Sequence, residues 1–143
     1  MFAENFINNV SMFSTYKNDK INEVVDKLNL NILENIKYKE NCQQLSGGEK
    51  QIVNIVRMLS ADTPICIMDE PFSAMDVNTT EILQNTLMEM KDKTIIMVTH
   101  KLSQEQLEQF DEVILMKSGK VVQSGAYSDI LKTSEFRKLQ TIS

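Results

Sequence analysis

Two pairs of polar residues follow two short apolar runs of the chain, at the points where those runs end. Asp69 and Glu70 follow the first run, and Thr99 and His100 follow the second. An Asp directly after a buried strand can hold Mg²⁺ beside phosphates, and the next carboxylate can accept a proton from an attacking water. Acids that merely cap the next helix, and a histidine that bonds a backbone carbonyl, are the simpler explanations for each pair taken alone.

A second feature that could bind a ligand is the segment Ser46, Gly47 and Gly48, which holds two of the four glycines in the chain. A run with helical spacing follows it. The first amides of a helix have no acceptor within the helix and lie at the positive end of its dipole, so an anion can bind there. The alternative is a glycine-containing helix start that binds no ligand.

The elements that position these residues follow from the spacing of apolar side chains. Two stretches repeat at i, i+3, i+4 and i+7, which predicts helices whose inner faces are Ile21, Val24, Val25 and Leu28, then Ile52, Ile55, Val56 and Leu59. Residues 29–44 are more polar and irregular. The run 65–68 predicts a buried strand and the run 94–98 a second apolar strand, with a helix from about Asn78 to Glu89 between them. Strand, helix and strand form a βαβ unit, whose strand ends meet at one edge where ligands bind.

The C-terminal part of the sequence predicts a hairpin and a last helix. Two strands flank Ser118 and Gly119, a turn signal. A helical stretch runs from Tyr127 to Leu139. No internal repeat or low-complexity tract is present.

Composition narrows the functional classes. The 143 residues are 42% hydrophobic with a formal charge of −5, which excludes a wholly disordered chain and argues against a broad nucleic-acid-binding surface. Cys42 and Cys66 lie in unlike contexts without zinc-ligand spacing, so we expect free thiols in a reducing compartment. No signal peptide and no long apolar span is evident, so we do not expect this chain to cross a membrane by itself.

The order of these pieces resembles the C-terminal portion of an ABC-type ATPase domain. "LSGGE", a helix, "DEP", "SAMD" and a strand followed by "TH" occur in the order and spacing of that family, and the likeness runs from "FAENFINNV" to "SGKVVQSGAYSDIL". It implies an α/β fold: part of a RecA-like P-loop NTPase core with a mostly parallel sheet, plus an α-helical subdomain. The helical subdomain would span residues 1–60 and the core residues 61–143.

The resemblance also implies a role for each site residue. The signature loop, which in this family contacts the γ-phosphate of ATP on the opposing subunit, would be Leu45, Ser46, Gly47, Gly48 and Glu49. Asp69 would serve Mg²⁺ at the end of the Walker B strand, and Glu70 would be the general base. Ser73 and Asp76 would bound the D-loop, which links two ATP sites. His100 would be the switch histidine, which contacts the γ-phosphate and helps to position the attacking water.

Three residues depart from the usual family pattern. Glu49 stands in place of Gln and brings a carboxylate towards a phosphate site, which we expect to be tolerated. Ile52 stands where Arg is common, and Met75 where Leu is common; neither change removes a catalytic group.

A larger departure is that the sequence contains no G-x-x-x-x-G-K-[ST]. The resemblance implies that a preceding segment supplies this phosphate loop. We expect the isolated chain to be inactive and to expose apolar sheet surface.

The partners implied by the resemblance are a second ATP-binding domain and the transmembrane domain of a transporter, with membrane contact only through that domain. ATP and Mg²⁺ would be the cofactors, at the cytoplasmic face of the membrane, and "FAENFINNV" favours export. SMC-type chromosome and repair ATPases share an "LSGGEK"-like signature and are the main alternative. A non-catalytic remnant that binds a partner subunit is the other.

Overall fold

The computed structural model describes residues 1–13, 18–61, 63–100, 103–133 and 136, and these divide into two compact units. The first unit spans residues 1–100 and the second residues 101–143. The predicted subdomain boundary near residue 60 lies inside the first unit and stays a prediction. Among the described residues, no helix is long and apolar enough to cross a membrane.

The first unit begins with helices. These are α1 (Phe6–Ser11), α2 (Asn18–Leu28), α3 (Asn31–Ile36), a single 3₁₀ turn (Cys42–Gln44) and α4 (Gly47–Ser60). Both predicted apolar stripes are confirmed, because all eight of their side chains are buried in one core. Helix α3 lies in the stretch predicted to be irregular. It forms because Leu33 and Ile36, three residues apart, are both buried.

The predicted βαβ unit is confirmed. Strands β1 (Ile65–Asp69) and β2 (Thr94–Val98) pair in parallel, and α5 (Val77–Met88) connects them. Helix α5 begins and ends one residue earlier than predicted.

The expected exposure of apolar sheet surface is confirmed for one face of this sheet. Burial alternates along β1, so Cys66 and Met68 face the core. The opposite face is exposed. Its apolar residues are Ile65, Ile67, Ile96 and Val98, and Asp69 lies on the same face at the end of β1. The physical reason is that only one side of this two-stranded sheet packs against helices.

The second unit contains α6 (Gln104–Leu107), β3 (Val113–Lys117), β4 (Lys120–Gly125) and α7 (Tyr127–Ile130). The predicted hairpin is confirmed, since β3 and β4 pair antiparallel. Ser118 and Gly119 both have positive φ, 50° and 74°, which a two-residue turn of this kind requires. The last helix ends at Ile130, shorter than predicted, and the end predicted at Leu139 lies outside the described residues.

A buried asparagine anchors the N-terminal segment to the helices. The Asn9 side chain donates to the carbonyls of Phe2, Glu4 and Asn5 at 3.3, 2.8 and 3.0 Å, and its oxygen accepts from the Phe2 amide at 2.8 Å. Its own carbonyl accepts from Arg57 Nε of α4 at 2.8 Å. Burial lowers the pKa of Arg57.

The prediction of free thiols is confirmed. Cys42 and Cys66 are both buried, and neither forms a disulfide.

We therefore expect Asn9→Ala to lower the free energy of unfolding by about 2–4 kcal/mol, because several buried backbone groups lose their partner. Asn8→Ala is the matched control. It removes one bond to Glu4 at a half-buried position and should cost less than about 1 kcal/mol. Urea denaturation of the three proteins measures both. Equal losses for the two variants would contradict the anchoring role of Asn9.

Candidate functional site

The backbone of Glu70 is held in an unusual conformation at the end of β1. Its φ is 45°, in the left-handed region that non-glycine residues avoid at a cost of about 1 kcal/mol or more. Its amide donates to the Val98 carbonyl at 2.8 Å, which extends the β1–β2 ladder by one bond, and its carbonyl accepts from the Ser73 amide at 3.2 Å. Both backbone polar groups of this strained residue, its amide and its carbonyl, are therefore hydrogen-bonded.

The side chain of Glu70 meets the polar end of β2. Thr99 Oγ1 donates to one carboxylate oxygen at 3.4 Å, and the other oxygen hydrogen-bonds His100 Nδ1. The Glu70 side chain is 31% exposed and that of His100 68%. The structure thus brings together Glu70 and His100, which are thirty residues apart in the sequence. An Nδ1–H of His100 that donates to Glu70 leaves Nε2 for an external group.

Asp69 lies one residue before this pair and on the exposed face of β1. The described residues contain no group of three or more His, Cys, Asp or Glu side chains placed to bind a metal. Asp69 could therefore offer a metal ion only its own carboxylate. A metal ion there would need its other ligands from water or phosphate, which is how Mg²⁺ is commonly held.

The helix start at Ser46 forms a capping box. Ser46 Oγ accepts from the Glu49 amide at 3.3 Å, and the Glu49 carboxylate accepts from the Ser46 amide at 2.8 Å. The bond from the Ser46 backbone is the main cause of a lowered pKa at Glu49. Glu49 therefore stabilises the helix start and takes up the Ser46 amide, while the amides of Gly47 and Gly48 remain at the end of the helix.

The two glycines lie in different surroundings. A Cβ added to Gly48 would stand 2.5 Å from the carbonyl oxygen of Ala74, whereas one on Gly47 would meet only the Ala74 methyl at 3.6 Å. Gly48 is thus required for packing within this chain, a reason that the sequence did not reveal. The neighbouring Gln51 also contacts this segment, through Ser73 Oγ and the Ala74 amide.

The other predicted site residues have structural positions of their own. The Leu45 side chain is buried in the core, so only its backbone can face a ligand. Ser73 is exposed at the turn after β1. Asp76 caps α5, where it accepts from the Thr79 amide at 3.0 Å and from its hydroxyl at 2.7 Å, and these bonds lower its pKa. The family departures also fit: Ile52 is buried, and Met75 packs against the core.

Comparison with known proteins decides the family. A sequence model of the ABC transporter family matches residues 1–73, just over half of the chain. The chain belongs to the ABC transporter family. Its α/β fold, with a parallel pair of strands and helices, agrees with a partial P-loop NTPase.

Several curated relatives resemble this ABC chain to a similar degree. An ATP-dependent lipid A-core flippase of Vibrio cholerae is 39% identical over 64% of this chain and 16% of that protein. The choline transport ATP-binding protein OpuBA of Bacillus subtilis is 38% identical over 62% of this chain and 24% of its own length. The mesentericin-Y105 transport/processing protein MesD of Leuconostoc mesenteroides is 37% identical over 64% and 12%. The chain thus spans no more than about a quarter of these relatives.

A solved structure of a bacterial Atm1-family ABC exporter with ATP bound matches the fold. The TM-score is 0.83 over 99% of this chain and 26% of that one, at 22% identity. At this identity the match supports the fold class alone.

The pair of glycines allows a matched test of packing. Gly47→Ala should leave stability unchanged or raise it by up to about 1 kcal/mol, since Ala favours helices. Gly48→Ala should lower it by about 1–3 kcal/mol, because the new methyl collides with the Ala74 carbonyl. Chemical denaturation measures both. Equal stability of the two variants would refute the close approach of α4 to the turn.

The capping box predicts a dependence of stability on pH. Because the folded-state pKa of Glu49 is lowered from 4.5, its contribution is present above that value and is lost as pH falls through the lowered pKa. In the Glu49→Gln variant, the part of the acid-induced loss of folding stability that is due to Glu49 should disappear. Thermal unfolding between pH 6 and pH 3 would show it as a flatter profile, with the exposed acid variant Glu81→Gln as the control. Parallel profiles for wild type and Glu49→Gln would contradict the prediction.

Proposed function

We propose that this chain is the part of an ABC ATP-binding domain that carries out the hydrolytic step and responds to a second such domain, coupling ATP hydrolysis to transport. The observation that carries the proposal is the hydrogen-bonded pair of Glu70 and His100 at the edge of a parallel sheet. It supports catalysis over a non-catalytic remnant, because a strained backbone and a paired carboxylate are maintained at the expected place.

In this proposal, the Glu70 carboxylate accepts a proton from the water that attacks the terminal phosphate. His100 bonds one oxygen of that carboxylate, and the other oxygen, which accepts from Thr99 Oγ1 at 3.4 Å, has a further lone pair that can accept from the water. The exposed imidazole would contact the γ-phosphate through Nε2. Asp69 would hold Mg²⁺, which supplies charge neutralisation on the phosphates when it is bound.

The signature loop would act on ATP held by a second domain. Gly47 and Gly48 present the first amides of a fourteen-residue helix, and Ser46 adds a hydroxyl. Glu49 already bonds the Ser46 amide, so we propose that the phosphate contact uses the two glycine amides and the Ser46 hydroxyl. In the sequence given, no phosphate loop is present, and we propose that another polypeptide segment supplies it.

That segment would also cover the apolar face of the β1–β2 sheet. Asp69 shares this face with Ile65 and Ile67, which are 57% and 71% exposed. An element packed against the two isoleucines therefore lies beside Asp69, where phosphates would be held. Burial of this face would favour its association by about 25 cal/mol for each Å² of apolar surface removed from water.

The transporter role is proposed from the family, with the helical segment facing the transmembrane partner at the cytoplasmic face of the membrane and export as the direction. The relatives' names refer to lipid A-core, choline and mesentericin, at nearly equal identity. The similarity of this segment therefore does not follow the cargo.

The decisive experiment is Glu70→Gln in the intact ATP-binding protein that contains this chain. We expect ATP turnover to fall by at least about 100-fold, because the general base is lost while size is kept. ATP-dependent association should persist. Glu81→Gln, an exposed change on α5, is the control and should retain turnover. Near-normal turnover in Glu70→Gln would refute the assignment.

A further inference from the structure

Gln51 joins two segments that are distant in the sequence. It lies in α4, one turn after Gly48, and its amide nitrogen donates to Ser73 Oγ at 2.9 Å and to the Glu70 carbonyl at 3.3 Å. Its amide oxygen accepts from the Ala74 amide at 3.2 Å. Its partners are 19 to 23 residues away along the chain, so these bonds do not serve the helix itself.

The chemistry of these contacts requires a carboxamide. One end must donate twice and the other must accept, and a side-chain amide of this length supplies both functions without charge. A carboxylate would keep the acceptor but lose both donors. One of these hydrogen bonds holds a strained residue, because the carbonyl that accepts from Gln51 belongs to Glu70, whose φ is 45°.

Gly48 and Gln51 act on the same turn from the same face of α4. They are three residues apart, which places them on neighbouring turns of one helical face. Gly48 permits close approach to the Ala74 carbonyl, and Gln51 bonds the Ala74 amide. The N-terminal turns of α4 and the segment after β1 are therefore attached at two points.

We propose that Gln51 is a positioning residue for the hydrolytic reaction, a role that rests on the proposed function of Glu70. Gln51 holds the Glu70 backbone and the turn at Ser73 and Ala74 against α4. The general base and the phosphate-facing helix start then keep one relative geometry. Gln51 itself contacts no substrate in this role.

The first test compares kinetics in the intact ATP-binding protein. Gln51→Ala should lower kcat by about 10-fold to 100-fold, as expected when a catalytic group is misplaced by a fraction of an ångström to one ångström. KM for MgATP should stay within about 2-fold, because no nucleotide contact is lost. Gln51→Glu should lose kcat to a similar extent, since both donors are gone. Asn54→Ala, an exposed change on the same helix, should behave as wild type.

A double-mutant cycle separates positioning from general structural damage. If Gln51 acts through Glu70, adding Gln51→Ala to Glu70→Gln should change the residual turnover by less than about 2-fold. An equal fold-loss in both backgrounds would overturn the proposal, as would full kcat in Gln51→Ala while Glu70→Gln is inactive. Full turnover in Glu70→Gln would overturn the proposed function and this role with it.

Hydrogen exchange gives a second measurement that does not depend on activity. In Gln51→Ala the amide of Ala74 loses its acceptor, so its exchange should accelerate by about 10-fold or more, while amides in the middle of α4 keep their protection. Unchanged exchange at Ala74 would overturn the proposal.

Discussion

A glutamate in the left-handed conformation at the end of β1 determines where the chain can go next. The conformation is unfavourable for Glu70 by itself, and it persists because its amide, carbonyl and carboxylate all have partners. Those partners come from β2, from the following turn and from α4. Three elements thus converge on one residue, and its carboxylate can point only where they allow.

The helix start at Ser46 forms a capping box, and in the proposed function it would also bind a phosphate. Its capping box with Glu49 stabilises α4 from within, and this uses the Ser46 amide and part of the hydroxyl's bonding capacity. A phosphate bound as proposed would use the Gly47 and Gly48 amides and would share only the Ser46 hydroxyl with the capping box. Gly48 must be glycine because of its close approach to Ala74 within the chain, and the proposed contact with a phosphate would be a second reason. The first of these is satisfied by this chain alone.

The features that depend on the spacing of apolar residues and on the order of motifs could be predicted from the sequence. The stripes of α2 and α4, the βαβ unit and the hairpin at Ser118 follow from apolar spacing and turn chemistry. Continuous apolar runs do not show by themselves whether one or both faces of a strand are covered. The exposed face that includes Ile67 was expected because the resemblance implies a further segment of the domain that this sequence does not contain. The motifs placed Glu70 and His100 at one edge, but nothing in the one-dimensional pattern distinguished Gln51 from any polar residue on a helix. The proposed role of Gln51 depends on the fold, which brings the segment from Glu70 to Ala74 back against α4.

The uncovered face of the sheet links stability to catalysis. Side chains alternate along β1, so the apolar residues that need covering and the carboxylate of Asp69 point to the same side. In the proposed function, hydrophobic association at this face and completion of a phosphate site at its edge would be one structural event. A polar substitution at Ile67 would weaken both, although its side chain takes no part in the chemistry. Stability of the assembled domain and its affinity for nucleotide should therefore change together at Ile67, whereas at Glu70, which lies beyond the end of β1 and outside the apolar face, they should not.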